Sequence, residues 1–315
     1  MLRFGAITGS NAATYNPNEA IPPLNGKTIL VTGGSTGLGK QAIIYLAQHN
    51  PSEIWMTAQS IDEAKAACAD IRKHLPDANL KILQLDLASL NSVKKAAAAF
   101  VAEVGRLDLL MLNAGVMGIP PGLTEDGYEN QFGINHMGHA FLTKLLLPLL
   151  SKTADTDVDV RVIVLASYSH RNAPTGGILF DTLKTTAEHL PSLRRYAQSK
   201  LANILYVRQL AKEYPKITVA AVHPGAANTD LLAGATDVGF IDRVVSRFFY
   251  KLFIFQSVEV AAKHQVWAAT TRNLKSGEYY EPFGVAGEGR PEGRNDDLAK
   301  ELWDWTEEEL EKQVA

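Results

Sequence analysis

The sequence predicts an α/β fold, a doubly wound parallel sheet of about seven strands in a single domain, and three observations carry that prediction. From residue 27 onward, short β-branched and almost wholly apolar runs alternate with longer helical stretches. That is the pattern of βαβ units whose strands are buried on both faces. The first apolar run passes straight into a glycine-rich turn and then a helical stretch. Finally, no linker rich in Pro, Gly or Ser divides the chain and no repeat is visible, while 315 residues with 46% hydrophobic content suffice for one large core.

The strand runs fall at 28–32, 53–58, 80–85, 107–112, 161–166 and 218–223, with a seventh near Tyr279. Helical stretches are expected at 38–49, 61–74, 90–104, 125–150, 193–214 and 258–271. Pro51, Pro76 and Pro215 stand just beyond three of these, where proline cannot continue a helix; Pro148 lies in the last turn of the long one and leaves that boundary soft. The expected organisation is a flexible arm over 1–25, the α/β domain over 26–290, and a tail with a helix over 291–315. Within the domain, 226–256 carries Phe240, Phe248, Phe249, Tyr250, Phe253 and Phe255 and is read as a lid over an apolar, ring-bearing substrate. Packing on the core, on a partner subunit or on a membrane surface are the competing readings of those aromatics.

Composition excludes several function classes. A net charge of −3 gives no basic field for a polyanion, so no nucleic-acid partner is expected. The single cysteine, Cys68, makes no internal disulfide and no cysteine cage for zinc or iron–sulfur clusters, and suits a reducing, cytoplasmic compartment. No apolar run approaches the roughly 20 residues that span a bilayer, and residues 1–25 contain no secretion-signal core. His136, His139, His170 and His223 stand at no recognised ligand spacing, so no metal is expected.

The turn reads T-G-x-x-x-G-x-G over Thr32, Gly33, Gly37 and Gly39, with Ser35, Thr36 and Leu38 between. Glycines let the backbone approach a pyrophosphate, and a helix N-terminus supplies free N–H groups and partial positive charge. An ordinary glycine-rich turn is the plainer alternative. Asp86 follows the third strand and Asn113-Ala114-Gly115 the fourth, at the carboxyl edge where ligands bind in such sheets. Asp86 either accepts a hydrogen bond from an adenine amino group or caps the following helix, and Asn113 either faces the ligand or ties neighbouring strands.

Tyr196 and Lys200 form Y-x-x-x-K, one helical turn apart on one face. A neighbouring ammonium favours the phenolate, which would bring the tyrosine toward the working range of a general acid or base. Ser167 ends the fifth strand and therefore reaches the same edge, where its hydroxyl can polarise a carbonyl. Asn135 is an awkward residue inside a helix: it either binds a water linking Lys200 to solvent or simply points outward.

Together these motifs, with Pro224-Gly225, resemble the short-chain dehydrogenase/reductases over about residues 27 to 285. The resemblance implies a Rossmann fold, a nicotinamide dinucleotide and a tetrad of Asn135, Ser167, Tyr196 and Lys200. It implies cofactor contacts from Gly33, Ser35, Thr36, Gly37, Leu38, Gly39, Gln59, Asp86, Leu87, Asn113, Ala114, Gly115, Tyr196, Lys200, Pro224, Gly225 and Thr229. The loop after Asn113, the 167–170 segment and the insertion before Tyr196 resemble the branch of retinol dehydrogenases and WW-domain oxidoreductases, although no WW domain is present, and fungal secondary-metabolism reductases. Two positions depart from the pattern: Ala166 replaces a second serine, and Gln59 replaces a basic residue.

The implied activity is interconversion of a ketone or aldehyde and an alcohol on a hydrophobic small molecule. The second strand ends Thr57-Ala58-Gln59-Ser60 without an acidic residue to chelate ribose hydroxyls, so NADP(H) is expected over NAD, with Gln59, Ser60 and Lys40 near its phosphate. Rival readings are an NAD-dependent alcohol dehydrogenase of the same fold, a sugar-nucleotide epimerase or dehydratase, whose glycine loop is usually T-G-x-x-G-x-x-G, and a non-catalytic dinucleotide sensor, which would commonly lose the Tyr or Lys retained here. Substrate identity and oligomeric state, including a homo-oligomer, stay open at this stage.

Overall fold

The structure, a computed structural model, describes residues 15–225, 236–237, 256–281, 284–287 and 289–314. Eight strands form one sheet: β1 (Thr28–Val31), β2 (Glu53–Ala58), β3 (Leu80–Gln84), β4 (Leu109–Leu112), β5 (Arg161–Leu165), β6 (Thr218–Val222), β7 (Glu278–Glu281) and β8 (Val285–Ala286), in the order β3-β2-β1-β4-β5-β6-β7-β8. The first seven pair in parallel and β8 adds antiparallel to the edge. The sheet therefore has eight strands where the sequence predicts about seven, because a two-residue strand leaves no periodic signal. Strand order reverses between β1 and β4, and the register that opposes Val31 to both Met56 and Met111 brings the carboxyl ends of the central strands level.

Alternate residues of each strand face opposite sides, so Leu30 joins one apolar layer while Ile29 and Val31 join the other. Helices α1 (Gly37–Ala47), α2 (Ile61–His74) and α6 (Val258–Thr270) cover the second layer. On the first lie α3 (Leu90–Glu103), α4 (Gly138–Ala154), α5 (Ser192–Glu213) and α7 (Asp296–Val314). Ser60 and Ser89 cap α2 and α3 by accepting hydrogen bonds from Glu63 N and Ser92 N.

Three expectations change here. The helix expected over 125–150 begins only at Asn130, because Gly127 takes φ +82° and Thr124 N donates to Tyr128 O at 2.8 Å, closing a loop before it. A five-residue π-helical turn, Gly133–Met137, then leads into α4, which runs past Pro148 to Ala154. Residues 15–25 are not a free arm: a one-turn helix, Pro17–Ala20, precedes Ile21 and Leu24, both buried. The C-terminal helix α7 belongs to the core rather than to a tail, with Ala299, Leu302 and Leu310 fully buried and Trp303 stacked on Tyr206 of α5. Of the expected lid, all but residues 236, 237 and 256 lie outside the described residues.

Five histidines are buried, His136, His139, His170, His223 and His264. Loss of hydration lowers their pKa values from 6.5 to about 4 for His136 and His170 and about 3 for the other three. Because the folded values are depressed, the unfolded chain binds protons more strongly, and the stability held above pH 6.5 is lost as pH falls toward the folded values. At pH 5 this amounts to about 2 kcal/mol for each histidine, a large share of the ~5–15 kcal/mol of a typical domain. The thermal midpoint should fall steeply between pH 6.5 and 5, with uptake of several protons on unfolding; a midpoint flat across that interval would contradict the neutral, buried assignment.

Candidate active site

The carboxyl ends of β1 and β4 are held together by one hydroxyl. Thr32 Oγ1 accepts hydrogen bonds from Asn113 N at 2.9 Å and Ala114 N at 3.0 Å. It also meets His139 Nε2 at 2.9 Å. Since His139 Nδ1 faces the carbonyl oxygen of Asn135 at 3.2 Å, Nδ1 carries the proton and Thr32 donates to the bare Nε2. Asn113 Nδ2 donates to Thr32 O at 2.9 Å and Gly33 O at 3.2 Å, so this asparagine ties the two strands together.

Next to this tie opens a cleft of about 410 Å³. One end is lined by Gln59 and Leu87, after β2 and β3, the middle by Gly33, Ser35, Thr36, Gly37 and Leu38 after β1 and by Asn113, Ala114 and Gly115 after β4, and the far end by Tyr196, Lys200 and Pro224. Gly39 stands behind the turn: a Cβ there would lie 2.2 Å from Gly33 O, so only glycine lets the helix start against the strand end. Gly33 takes φ +62°, which turns the chain into the cradle. Thr36, at the N-cap of α1, makes no side-chain cap, leaving the first N–H groups of the helix for a ligand.

Asp86 stands at the rim. Its Oδ1 accepts from Ala88 N at 2.9 Å and from Gln59 Nε2 at 2.9 Å, and the cap of α3 is Ser89, so the helix-cap reading of Asp86 is replaced by a loop bond and a bond to Gln59. Lys40 is drawn away from the expected phosphate position by Asp70, at 2.6 Å. Glu63, which no sequence signal marked, lines the cleft beside Gln59. Gly225 takes φ +91° beside Gln256 and His264, and Thr229 lies outside the described residues.

Tyr196, Lys200, Ser167 and Asn135 are buried within one neighbourhood. The π turn turns Asn135 inward, overturning the outward-facing alternative, and both polar atoms of its amide are engaged. Oδ1 accepts from Val116 N at 2.8 Å, while Nδ2 donates to Val116 O and Ser199 Oγ, both at 2.9 Å. The side chain expected to hold a water thus anchors the loop 116–119. Ser167 Oγ accepts from Ser169 N at 3.1 Å and lies near enough to the Tyr196 hydroxyl to favour its ionised form. Lys200 Nζ donates to Leu165 O at 2.9 Å and sits 5.7 Å from the centre of the Tyr196 ring.

Burial pushes the Tyr196 phenol up to about 12, the neighbouring Ser167 hydroxyl pulling the other way. Burial also pushes the Lys200 ammonium down to about 8. The spacing predicts that the lysine lowers the tyrosine; in the fold the lost hydration of the ring hydroxyl raises it, and the opposing influence is the Ser167 hydroxyl.

Several residues of this region escaped sequence reasoning. Gln131 accepts from Gly118 N and donates to Ser192, and Arg195 reaches Glu129 and the Ile119 carbonyl. These are polar side chains partnered far along the chain, and nothing in their local sequence distinguishes them from solvated ones.

The donor set fits a nicotinamide dinucleotide. A glycine-built cradle at a helix N-terminus suits a pyrophosphate, the buried oxygen Asn113 Oδ1 has no protein partner, and a buried lysine lines the far end. The family model for short chain dehydrogenases matches residues 27–237, and this chain belongs to the short-chain dehydrogenase/reductase family, whose members bind nicotinamide dinucleotides. It is 36% identical over 296 residues to retinol dehydrogenase 13 of Homo sapiens, covering 91% of this chain and 85% of that protein. To the short-chain dehydrogenase/reductase drtF of Aspergillus calidoustus it is 36% identical over 309 residues, covering 93% and 96%. Among solved structures, an uncharacterized protein from Mycobacterium paratuberculosis superposes with a TM-score of 0.72 at 26% identity, covering 93% of this chain and 97% of that one.

Replacing Gly39 with alanine drives a methyl group into the Gly33 carbonyl and the Asn113 amide. The expected cost is ~1–3 kcal/mol of stability in urea unfolding, together with loss of the fluorescence enhancement that marks a bound reduced nicotinamide dinucleotide. Unchanged values for both would show that the helix start tolerates a side chain.

Proposed function

We propose that this oxidoreductase interconverts a ketone or aldehyde and an alcohol on a hydrophobic small molecule, with NADP(H) preferred over NAD. The observation that carries the reading is the buried Tyr196, near the Ser167 hydroxyl and one turn from Lys200, at the end of a cleft walled there by the apolar Val116, Met117, Ile119, Ile134, Leu165 and Ala166. The printed name of the human relative, retinol dehydrogenase 13, supports an apolar alcohol or carbonyl as substrate. The buried lone thiol of Cys68 accords with a reducing, cytoplasmic setting.

In the reduction direction Ser167 and Tyr196 hold the carbonyl oxygen, and Tyr196, a phenol at neutral pH, gives it a proton. A nicotinamide dinucleotide held by the glycine turn and by Lys200, which would take its ribose hydroxyls, would supply the hydride chemistry. Lys200 also stabilises the phenolate left on Tyr196. Asn135 keeps the loop 116–119 in place beside the reacting carbonyl rather than carrying a water on its amide. Gln59 and Ser60 donate to the 2′-phosphate; support for this step is the absence of an acidic residue at the end of β2, with Glu63 one turn further on as its opposing charge.

Purified protein should oxidise NADPH only when a carbonyl compound such as retinal or acetophenone is added, with a higher kcat/KM than for NADH. A clear NADH preference would overturn the cofactor assignment. Tyr196→Phe keeps the ring and removes the proton donor, so kcat should fall about 10²-fold or more with NADPH affinity nearly unchanged; a normal kcat would sink the mechanism. Because the Lys200 value is lowered to about 8, its charge is present below that pH and lost above it. Reduction should therefore decline as pH rises through about 8, and Lys200→Arg should move that inflection upward.

A further inference from the structure

Arg195, the residue before Tyr196, is fully buried, and its partners are arranged unequally. Nη1 pairs with Glu129 Oε1 at 3.0 Å, and Glu129 is as deeply buried as the arginine. Glu129 Oε2 accepts from Phe132 N at 2.7 Å, so this carboxylate is both neutralised and held at the entrance to the π turn. The guanidinium is thus already compensated. Nevertheless Nη2 makes two further bonds, to Ile119 O at 3.2 Å and to Asp237 Oδ2 at 3.1 Å, and Asp237 N donates to Gly118 O at 2.8 Å.

One backbone bond fastens Asp237 directly to Gly118 of the loop 116–119, and its carboxylate is tied to the same loop through Arg195, whose Nη2 also bonds Ile119 O. Met117 and Ile119 of that loop line the cleft on the side of Tyr196. The remaining polar groups of the loop are held from below: Val116 by Asn135, Gly118 N by Gln131, and Ile119 O by Ser192 as well as Arg195. Since Glu129 neutralises the arginine, Asp237 is not needed to make its burial tolerable. It is half-exposed, with 44% of its side-chain surface open, and its contribution to folding is that of a surface pair.

We propose that Asp237 is a positioning residue that braces the substrate-side loop 116–119, directly at Gly118 and through Arg195 at Ile119, and thereby sets the KM for the carbonyl substrate. The inference rests on the oxidoreductase reading above only for its kinetic part. The bracing itself is a matter of two bonds and is read without turnover.

The test compares the full-length protein with Asp237→Ala and Asp237→Asn, which leave the Arg195–Glu129 pair intact, whereas removing Arg195 would strand Glu129 as a buried charge. With retinal and acetophenone as probes, Asp237→Ala should raise KM about threefold to tenfold, the range open to a half-exposed charged hydrogen bond. kcat, NADPH affinity and the thermal midpoint should stay close to wild type. The wild-type KM should rise with salt as the pair is screened, and Asp237→Asn, which keeps an acceptor but no charge, should lose that salt dependence.

Hydrogen exchange at the residue-237 amide should be at least about tenfold faster in Asp237→Ala, because the two bonds secure each other. Equal exchange in wild type and variant overturns the bracing. Unchanged KM with faster exchange overturns its role in substrate binding, and a fall in NADPH affinity or midpoint equal to the change in KM assigns Asp237 to general stability instead. Should the wild type fail to turn over any carbonyl compound, the oxidoreductase reading and the kinetic role fall together, while the exchange result still decides the bracing.

Discussion

The Thr32 hydroxyl is the joint on which the carboxyl edge of the sheet depends. Where β1 and β4 diverge, this one oxygen takes two amide protons from Asn113 and Ala114 and gives its own to His139. Directly beyond it Gly33, at φ +62°, turns the chain into the cradle. The joint works only while His139 is neutral, which burial enforces, and protonated on Nδ1, which the facing Asn135 carbonyl selects. The imidazole passes the constraint to the carbonyl of Asn135, so the floor of the cofactor cleft and the support of the substrate-side loop belong to one hydrogen-bonded chain.

Much of this architecture was legible in the sequence because it is written locally. Runs such as 28–32 and 161–166 are apolar on both faces, as strands covered by helices must be, and prolines at 51, 76 and 215 mark helix ends. The glycine turn is legible because a backbone that must approach another backbone tolerates no Cβ, as Gly39 against Gly33 O illustrates. Tyr196 and Lys200 are legible by their spacing. What these residues do electrostatically was less so: the upward push of burial on Tyr196 depends on how much protein surrounds the hydroxyl, a quantity that spacing does not carry.

The start of the long helix was misread for a related reason. Glu125 to Glu129 would suit a first helical turn by composition, but Gly127 at positive φ and a loop bond between Thr124 and Tyr128 win over propensity. Likewise Gln131, Glu129 and Arg195 look like solvated helix residues and are in fact buried partners brought together by packing. A π turn at 133–137 rotates Asn135 toward the loop 116–119, and such irregular turns, rare in helices, are frequent at functional sites.

The packing of α7 along α5 has a consequence for how the molecule comes to be folded. Glu309 accepts a hydrogen bond from Tyr128 across 181 residues of sequence, and Thr306 meets His136 across 170. Trp305 closes over Phe132 and Tyr128 beside the π turn. The support behind Asn135 is therefore completed by a segment the ribosome releases late. Until that segment arrives, the nascent chain carries a finished glycine turn beside an open aromatic face. Such high sequence separation slows the search for the native state and leaves an apolar surface exposed to chaperones during synthesis.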